Sequence, residues 1–153
     1  MTMEPGIARS RHRGFTLIEL LIALAVVAIL VRIAFPSYQA YIVRSSRQAA
    51  QAELIALANT QEKIFLNSSG YSCSVTLPYN GQSTSDNGLG VTTGKSKDGR
   101  YTLEVVAPCD VATKPTTFTL KATPIGAQDA GDPLALTISE TGQRKWGTAD
   151  KTW

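Results

Sequence analysis

Residues 13–31 read Arg13-Gly14-Phe15-Thr16-Leu17-Ile18-Glu19-Leu20-Leu21-Ile22-Ala23-Leu24-Ala25-Val26-Val27-Ala28-Ile29-Leu30-Val31. From Phe15 onward this run is apolar except at Thr16 and Glu19. Its length is close to the roughly 18 residues at which an apolar segment becomes a membrane-helix candidate. Glu19 is the anomaly. A carboxylate at a helix centre in lipid costs about 2.5–3.5 kcal/mol on insertion scales, so it calls for a partner or a purpose.

On the N-terminal side the chain is polar and basic. Arg9, Arg11 and Arg13 against Glu4 give residues 1–14 a net charge of +2, out of +3 for all 153 residues. The remainder is nearly balanced, so no chain-wide basic field argues for nucleic acid. Cations beside an apolar run keep that end on the cytoplasmic side of a membrane. A cleavable secretory signal would carry a small-residue site at the far end of the run. Val31-Arg32-Ile33-Ala34-Phe35-Pro36 stands there instead, so the helix is expected to be retained.

On the C-terminal side the helical pattern continues and turns amphipathic. Arg32 can snorkel towards the outer interface. Pro36 cannot donate to the carbonyl of Arg32, which predicts a kink or local melting. Ala50, Leu54, Leu57 and Ile64 recur at helical spacing, with Ala58 and Phe65 beside the stripe. Asn67-Ser68-Ser69-Gly70 ends the pattern. The prediction is one helix from Phe15 to Leu66, about 78 Å long at ~1.5 Å per residue.

Residues 70–99 are rich in Gly, Ser, Thr and Asn and read as a long loop, with a short strand near Val75–Leu77. Three alternating segments follow, at 101–107, 117–123 and 134–139. Glu140-Thr141-Gly142-Gln143 then turns into a short fourth, Arg144–Trp146. This is an α+β pattern: an antiparallel meander of about four strands whose apolar face the helix stripe can cover. Cys73 and Cys109 both lie beyond the membrane run. In an exported segment they are expected to form a disulfide, contributing about 3–4 kcal/mol by loop closure.

Little here suggests catalysis. The one histidine, His12, precedes the apolar run, so the rest of the chain has no histidine for a triad or a metal site. No phosphate-binding loop or dinucleotide turn is present. Asp129-Ala130-Gly131-Asp132 could offer oxygens to calcium, but reads better as a solvated turn. No enzyme activity, cofactor or metal is expected. Two basic groups are candidates for DNA contact: Lys95, Lys97 and Arg100, and Arg144-Lys145 followed by Trp146. Asp98, Asp110, Glu140 and Asp150 lie near them, which favours ordinary solvated surface.

The stretch Arg13-Gly14-Phe15-Thr16-Leu17-Ile18-Glu19 resembles the leader junction of type IV pilins. The resemblance implies that prepilin peptidase cuts after Gly14 and methylates the new amine of Phe15. It places the family's acidic fifth residue at Glu19, where it would pair with a neighbouring subunit's Phe15 amine during filament assembly. Pro36 stands where the family has a helix-kinking proline, and Ala28 where it commonly has a glycine. The segment Arg47-Gln48-Ala49-Ala50-Gln51-Ala52-Glu53-Leu54, with Ala58, Gln61-Glu62-Lys63, Phe65, Asn67 and Tyr71, is similar to PilE-type minor pilins. Those relatives often carry a cysteine just before the terminal tryptophan; here Thr152 precedes Trp153.

The implied fold is a long N-terminal helix packed on a roughly four-stranded antiparallel sheet. Its expected parts are a leader (1–14), a transmembrane and filament-core half of the helix (15–42) and a head (43–153). The head would hold the amphipathic half-helix, a loop at 70–99, a sheet at 100–147 and a tail. The implied function is that of a structural subunit of a type IV pilus, a minor pilin supporting pilus biogenesis, twitching motility, adhesion or DNA uptake. Its partners would be major and minor pilin subunits, the prepilin peptidase, the inner-membrane assembly platform and the inner membrane, with DNA a further candidate. A type II secretion pseudopilin and a DNA-binding competence pilin are the alternatives.

Overall fold

The computed structural model describes residues 15–106, 109–147 and 152–153; Gly14 and the rest of the expected leader lie outside them. A helix α1 (Leu17–Ser68) is followed by strands β1 (Tyr101–Val106), β2 (Thr119–Pro124), β3 (Leu136–Ser139) and β4 (Arg144–Trp146). A short helix α2 (Ala127–Gly131) stands between β2 and β3. The chain divides between Tyr38 and Gln39 into two compact units.

In the first unit every described residue is exposed. The large apolar side chains from Leu17 to Val31 are 51–78% accessible. By length and composition, α1 is apolar enough to cross a membrane. Pro36 lies inside this helix. Having no N–H, it leaves the ladder one bond short.

The second unit has its own core. Along α1, Ser46, Ala50, Leu54, Leu57, Ala58, Gln61 and Ile64 are buried, at the three- and four-residue steps that put side chains on one helix face. They meet the inward residues of the sheet, including Tyr101, Leu103, Leu120, Ala122, Leu136 and Ile138. The strands pair antiparallel in the order β1-β2-β3-β4. The register sets Leu103 opposite Ala122, Leu120 opposite Ile138, and Leu136 opposite Trp146. Because side chains alternate, these apolar residues share one face, and a one-residue slip would expose all of them. Each buried leucine contributes roughly 1.5–3 kcal/mol.

Some boundaries differ from the pattern-based expectation. The helix runs from Leu17 to Ser68 rather than from Phe15 to Leu66; beyond it, Ser69 turns left-handed at φ 57°. β2 starts at Thr119 rather than Thr117. There the Phe118 N–H donates to the Glu140 carboxylate at 3.3 Å, outside the regular ladder. No strand forms at Val75–Leu77. Ser74 takes the Leu77 N–H on its hydroxyl at 3.1 Å, a side-chain bond that competes with a ladder. The loop then folds against its own return path, with Leu89 and Val91 donating to the carbonyls of Ser74 and Val75. Gly88 makes that approach feasible: a Cβ there would lie 2.4 Å from the Leu77 carbonyl oxygen.

Side chains tie this loop to the helix. Gln61 donates to the Ser72 carbonyl and accepts the Ser72 N–H, both at 2.8 Å. Cys73 is bonded to Cys109, with their Cα atoms 5.4 Å apart. Tyr71 stacks on Phe65 with ring centroids 4.8 Å apart and meets Phe118 edge-on at 4.7 Å. Its hydroxyl donates to Glu62 at 3.1 Å. Burial and this carboxylate push the Tyr71 phenol up to about 12.

Candidate functional site: the helix start and the basic residues of the head

The first turn of α1 carries a local device. Thr16 precedes the helix and accepts the Glu19 N–H on its hydroxyl at 3.3 Å, while its carbonyl accepts the Leu20 N–H. Thr16-Leu17-Ile18-Glu19 therefore has the spelling of a capping box, threonine at the cap and glutamate three residues on. An acid in the first turn also suits the positive end of the helix dipole. The bond observed uses the Glu19 backbone N–H, and the Thr-x-x-Glu spelling behind it is legible in the sequence. Among the described residues no cation pairs with its carboxylate. Phe15, just before the helix, is 77% exposed.

The basic candidates of the head do not form one cluster. Lys95 bridges Thr102 on the outer edge of β1. The Lys97 N–H donates to Glu53 at 3.1 Å, and the Arg100 N–H donates to Asp98 at 3.2 Å. Burial pushes the Asp98 carboxyl up, but hydrogen bonds from Ser96, Arg100 and Ser46 and the Arg100 charge outweigh it, and the net direction is down. Lys97 and Arg100 thus sit in partly acidic surroundings. Arg144 and Lys145 belong to β4, at the opposite edge of the sheet. They alternate: Arg144 pairs with buried Ile138 on the helix side, and Lys145 pairs with Thr137 on the outward side. The Arg144 guanidinium lies 5.4 Å from the Trp153 ring centroid.

Asp129-Ala130-Gly131-Asp132, expected as a solvated turn, is instead part of α2 and its end, with Gln128 and Asp132 buried. Asp132 pairs with Arg47 at 2.9 Å and accepts the Trp146 indole N–H at 3.2 Å. Arg47 in turn lies 4.0 Å over the Trp146 ring. Gln128 donates to the Val43 carbonyl at 3.0 Å and to the Tyr101 hydroxyl at 2.8 Å. Asp132 is therefore committed to the head's internal polar network. Among the described residues, no group of three or more His, Cys, Asp or Glu is placed to hold a metal ion.

A long helix with an unburied apolar half, a second half packed on a four-stranded meander, and a glycine–apolar–acid junction at the helix start define a pilin architecture. The chain matches the prokaryotic N-terminal methylation motif over residues 9–34. Over residues 36–133 it matches the family described as type IV minor pilin ComP, DNA uptake sequence receptor. The type IV major pilin protein PilE of Neisseria gonorrhoeae is 33% identical over 139 residues, covering 88% of this chain and 72% of that protein. The type IV major fimbrial protein FimA of Dichelobacter nodosus is 31% identical over 127 residues, covering 83% and 72%. The type IV major pilin protein PilA of Myxococcus xanthus is 42% identical over 62 residues, covering 40% of this chain and 28% of its own length. The chain belongs to the type IV pilin family.

Proposed function

We propose that this chain is a minor pilin. Prepilin peptidase cuts it after Gly14 and methylates the amine of Phe15. Residues 15–42 hold it in the inner membrane, with the head at 43–153 on the outer side. The assembly platform then moves it into a pilus, where the same helix packs among other major and minor pilin subunits. Glu19 sets register by pairing with a neighbour's Phe15 amine.

The observation that carries this reading is the division of apolar surface along α1. The head closes a core of its own around Leu54, Ile64, Leu120 and Leu136, none of which is accessible. The large apolar residues from Phe15 to Phe35 are 51–78% exposed. Contiguous exposed apolar surface of this kind marks a membrane or protein contact. Mass spectrometry of sheared surface filaments tests the reading. The expected finding is a peptide of this chain that begins with methylated Phe15; an intact leader on protein confined to the membrane fraction would count against it.

The head is further proposed to take up DNA contacts, following the receptor role named in the family description that its residues match. The measurement is binding of a short DNA duplex to the full-length chain in detergent at low salt, together with transformation of a deletion strain. Absence of binding at low salt would remove DNA from the function and leave the pilus role standing.

A further inference from the structure

We infer that Arg32 binds the phosphate of a phospholipid, in the leaflet reached by the far end of the apolar run, and that Phe35 and Tyr38 lie in the headgroup layer beside it. The inference rests on the membrane anchoring proposed above and gives that anchor a depth.

Three observations within residues 15–38 converge on Arg32. The first is position. Arg32 follows Phe15 by 17 residues, about 26 Å along a helix that rises ~1.5 Å per residue. The hydrocarbon core of a bilayer is about 30 Å thick. With Phe15 at one edge of the core, the Arg32 backbone lies just inside the other. Its three-methylene stem can carry the guanidinium out to the phosphates. The second is charge. Among the described residues no carboxylate pairs with Arg32. Glu19, 13 residues earlier, stands about 20 Å away along the helix. Arg32 is exposed, and Val31, Ile33 and Phe35 around it are apolar and 54–71% exposed. The third is the backbone. Pro36 lies inside the helix and has no N–H to give the Arg32 carbonyl, its partner four residues back. A carbonyl short of its helical bond is costly in hydrocarbon and is satisfied among water and headgroups. Side chain and main chain of one residue therefore call for the same polar layer.

The occupant follows from the shape of the cation and from what flanks it. A planar guanidinium engages phosphate oxygens through two parallel N–H bonds, which an ammonium cannot do. Phe35 and Tyr38 follow at three-residue steps, about 4.5 and 9 Å farther along the helix. They are 59% and 62% exposed. Tyrosine is enriched where a membrane meets water, because its ring is apolar and its hydroxyl polar. A cation at the inner rim of that layer and an aromatic hydroxyl within it match a lipid boundary. A second copy of this stretch would bring Glu19 as its one carboxylate in residues 15–38, and Glu19 is already assigned to a Phe15 amine. The phosphate contact therefore belongs to the subunit while it is held in the membrane, and the helix gives it up on entering a filament.

The test uses the full-length chain, isotope-labelled at the arginine guanidinium carbons and reconstituted in vesicles of phosphatidylethanolamine and phosphatidylglycerol. Solid-state NMR reads the dephasing of those carbons by lipid phosphorus. The difference between wild type and Arg32→Gln isolates the Arg32 signal. Charge-assisted N–H···O bonds of about 2.7–2.9 Å bring guanidinium carbon and phosphorus close together, so that signal is expected to dephase strongly. An Arg32 signal that lipid phosphorus leaves unchanged, in protein that sediments with the vesicles, would overturn the phosphate contact and leave the membrane anchoring intact. Failure of the chain to sediment with the vesicles would overturn both.

Discussion

Residues 17–35 and residues 46–64 belong to one helix and differ in what covers them. In the first stretch every residue is exposed, although nearly all are apolar. In the second, apolar residues occupy one stripe, and that stripe is buried against the sheet. The second half spends its hydrophobicity on the head's own fold. In the first half the large apolar side chains are 51–78% exposed, contiguous surface of the kind that marks a membrane or protein contact. A single helix thus has one exposed and one buried half, and substitutions in the two halves should separate the proposed assembly from folding.

The largest expected effect lies in the buried half. Leu54→Ala removes a fully buried side chain and should lower unfolding stability by about 2–5 kcal/mol, measured by denaturant titration in detergent. Asp132→Ala removes both the carboxylate paired with Arg47 and the acceptor of the Trp146 indole bond. A loss of about 1–3 kcal/mol is expected by the same measurement. Tyr71 gives a pH signature. Its pKa is higher in the fold than the ordinary 10, so the folded state holds the proton longer than the unfolded chain. Stability from this group is complete below pH 10 and falls as pH rises from 10 towards about 12. Tyr71→Phe should flatten that alkaline decline in a thermal-melt series; an unchanged decline would remove the group as its cause. The smallest effect is expected in the exposed half. Leu24→Ala should change head unfolding by less than about 0.5 kcal/mol, because the side chain is 58% exposed.

The contrast between the halves was legible in the sequence, because periodicity reports it directly: an unbroken apolar run first, then a stripe on Ala50, Leu54, Leu57 and Ile64. The four strands were legible from alternation, to within two residues at their starts. What stayed hidden depends on partners far along the chain. Gln128 and Asp132 each meet α1 at a separation of 85 residues, and nothing local in Asp129-Ala130-Gly131-Asp132 announces an arginine. The expected strand at Val75–Leu77 gave way to serine side-chain bonding and a glycine-dependent approach, which alternation does not encode. The basic candidates illustrate both cases. That Arg144 and Lys145 point to opposite faces follows from strand period alone. That Lys121 joins Lys145 in one row requires the register. The cap at Thr16, which takes the Glu19 backbone N–H, was readable from its Thr-x-x-Glu spelling, and a capping-box use of the acid would be the local alternative to its assembly role.

That alternative makes Glu19 the sharpest point of test. A capping box accepts glutamine as well as glutamate at its third position, whereas pairing with an amine calls for the charge. The decisive measurement is the amount of this chain in sheared surface filaments from strains carrying wild type, Glu19→Gln and Glu19→Val, at equal amounts in the membrane fraction. Both variants are expected to insert in the membrane and to be strongly depleted from filaments. Incorporation of Glu19→Gln or Glu19→Val at the wild-type level would contradict that expectation.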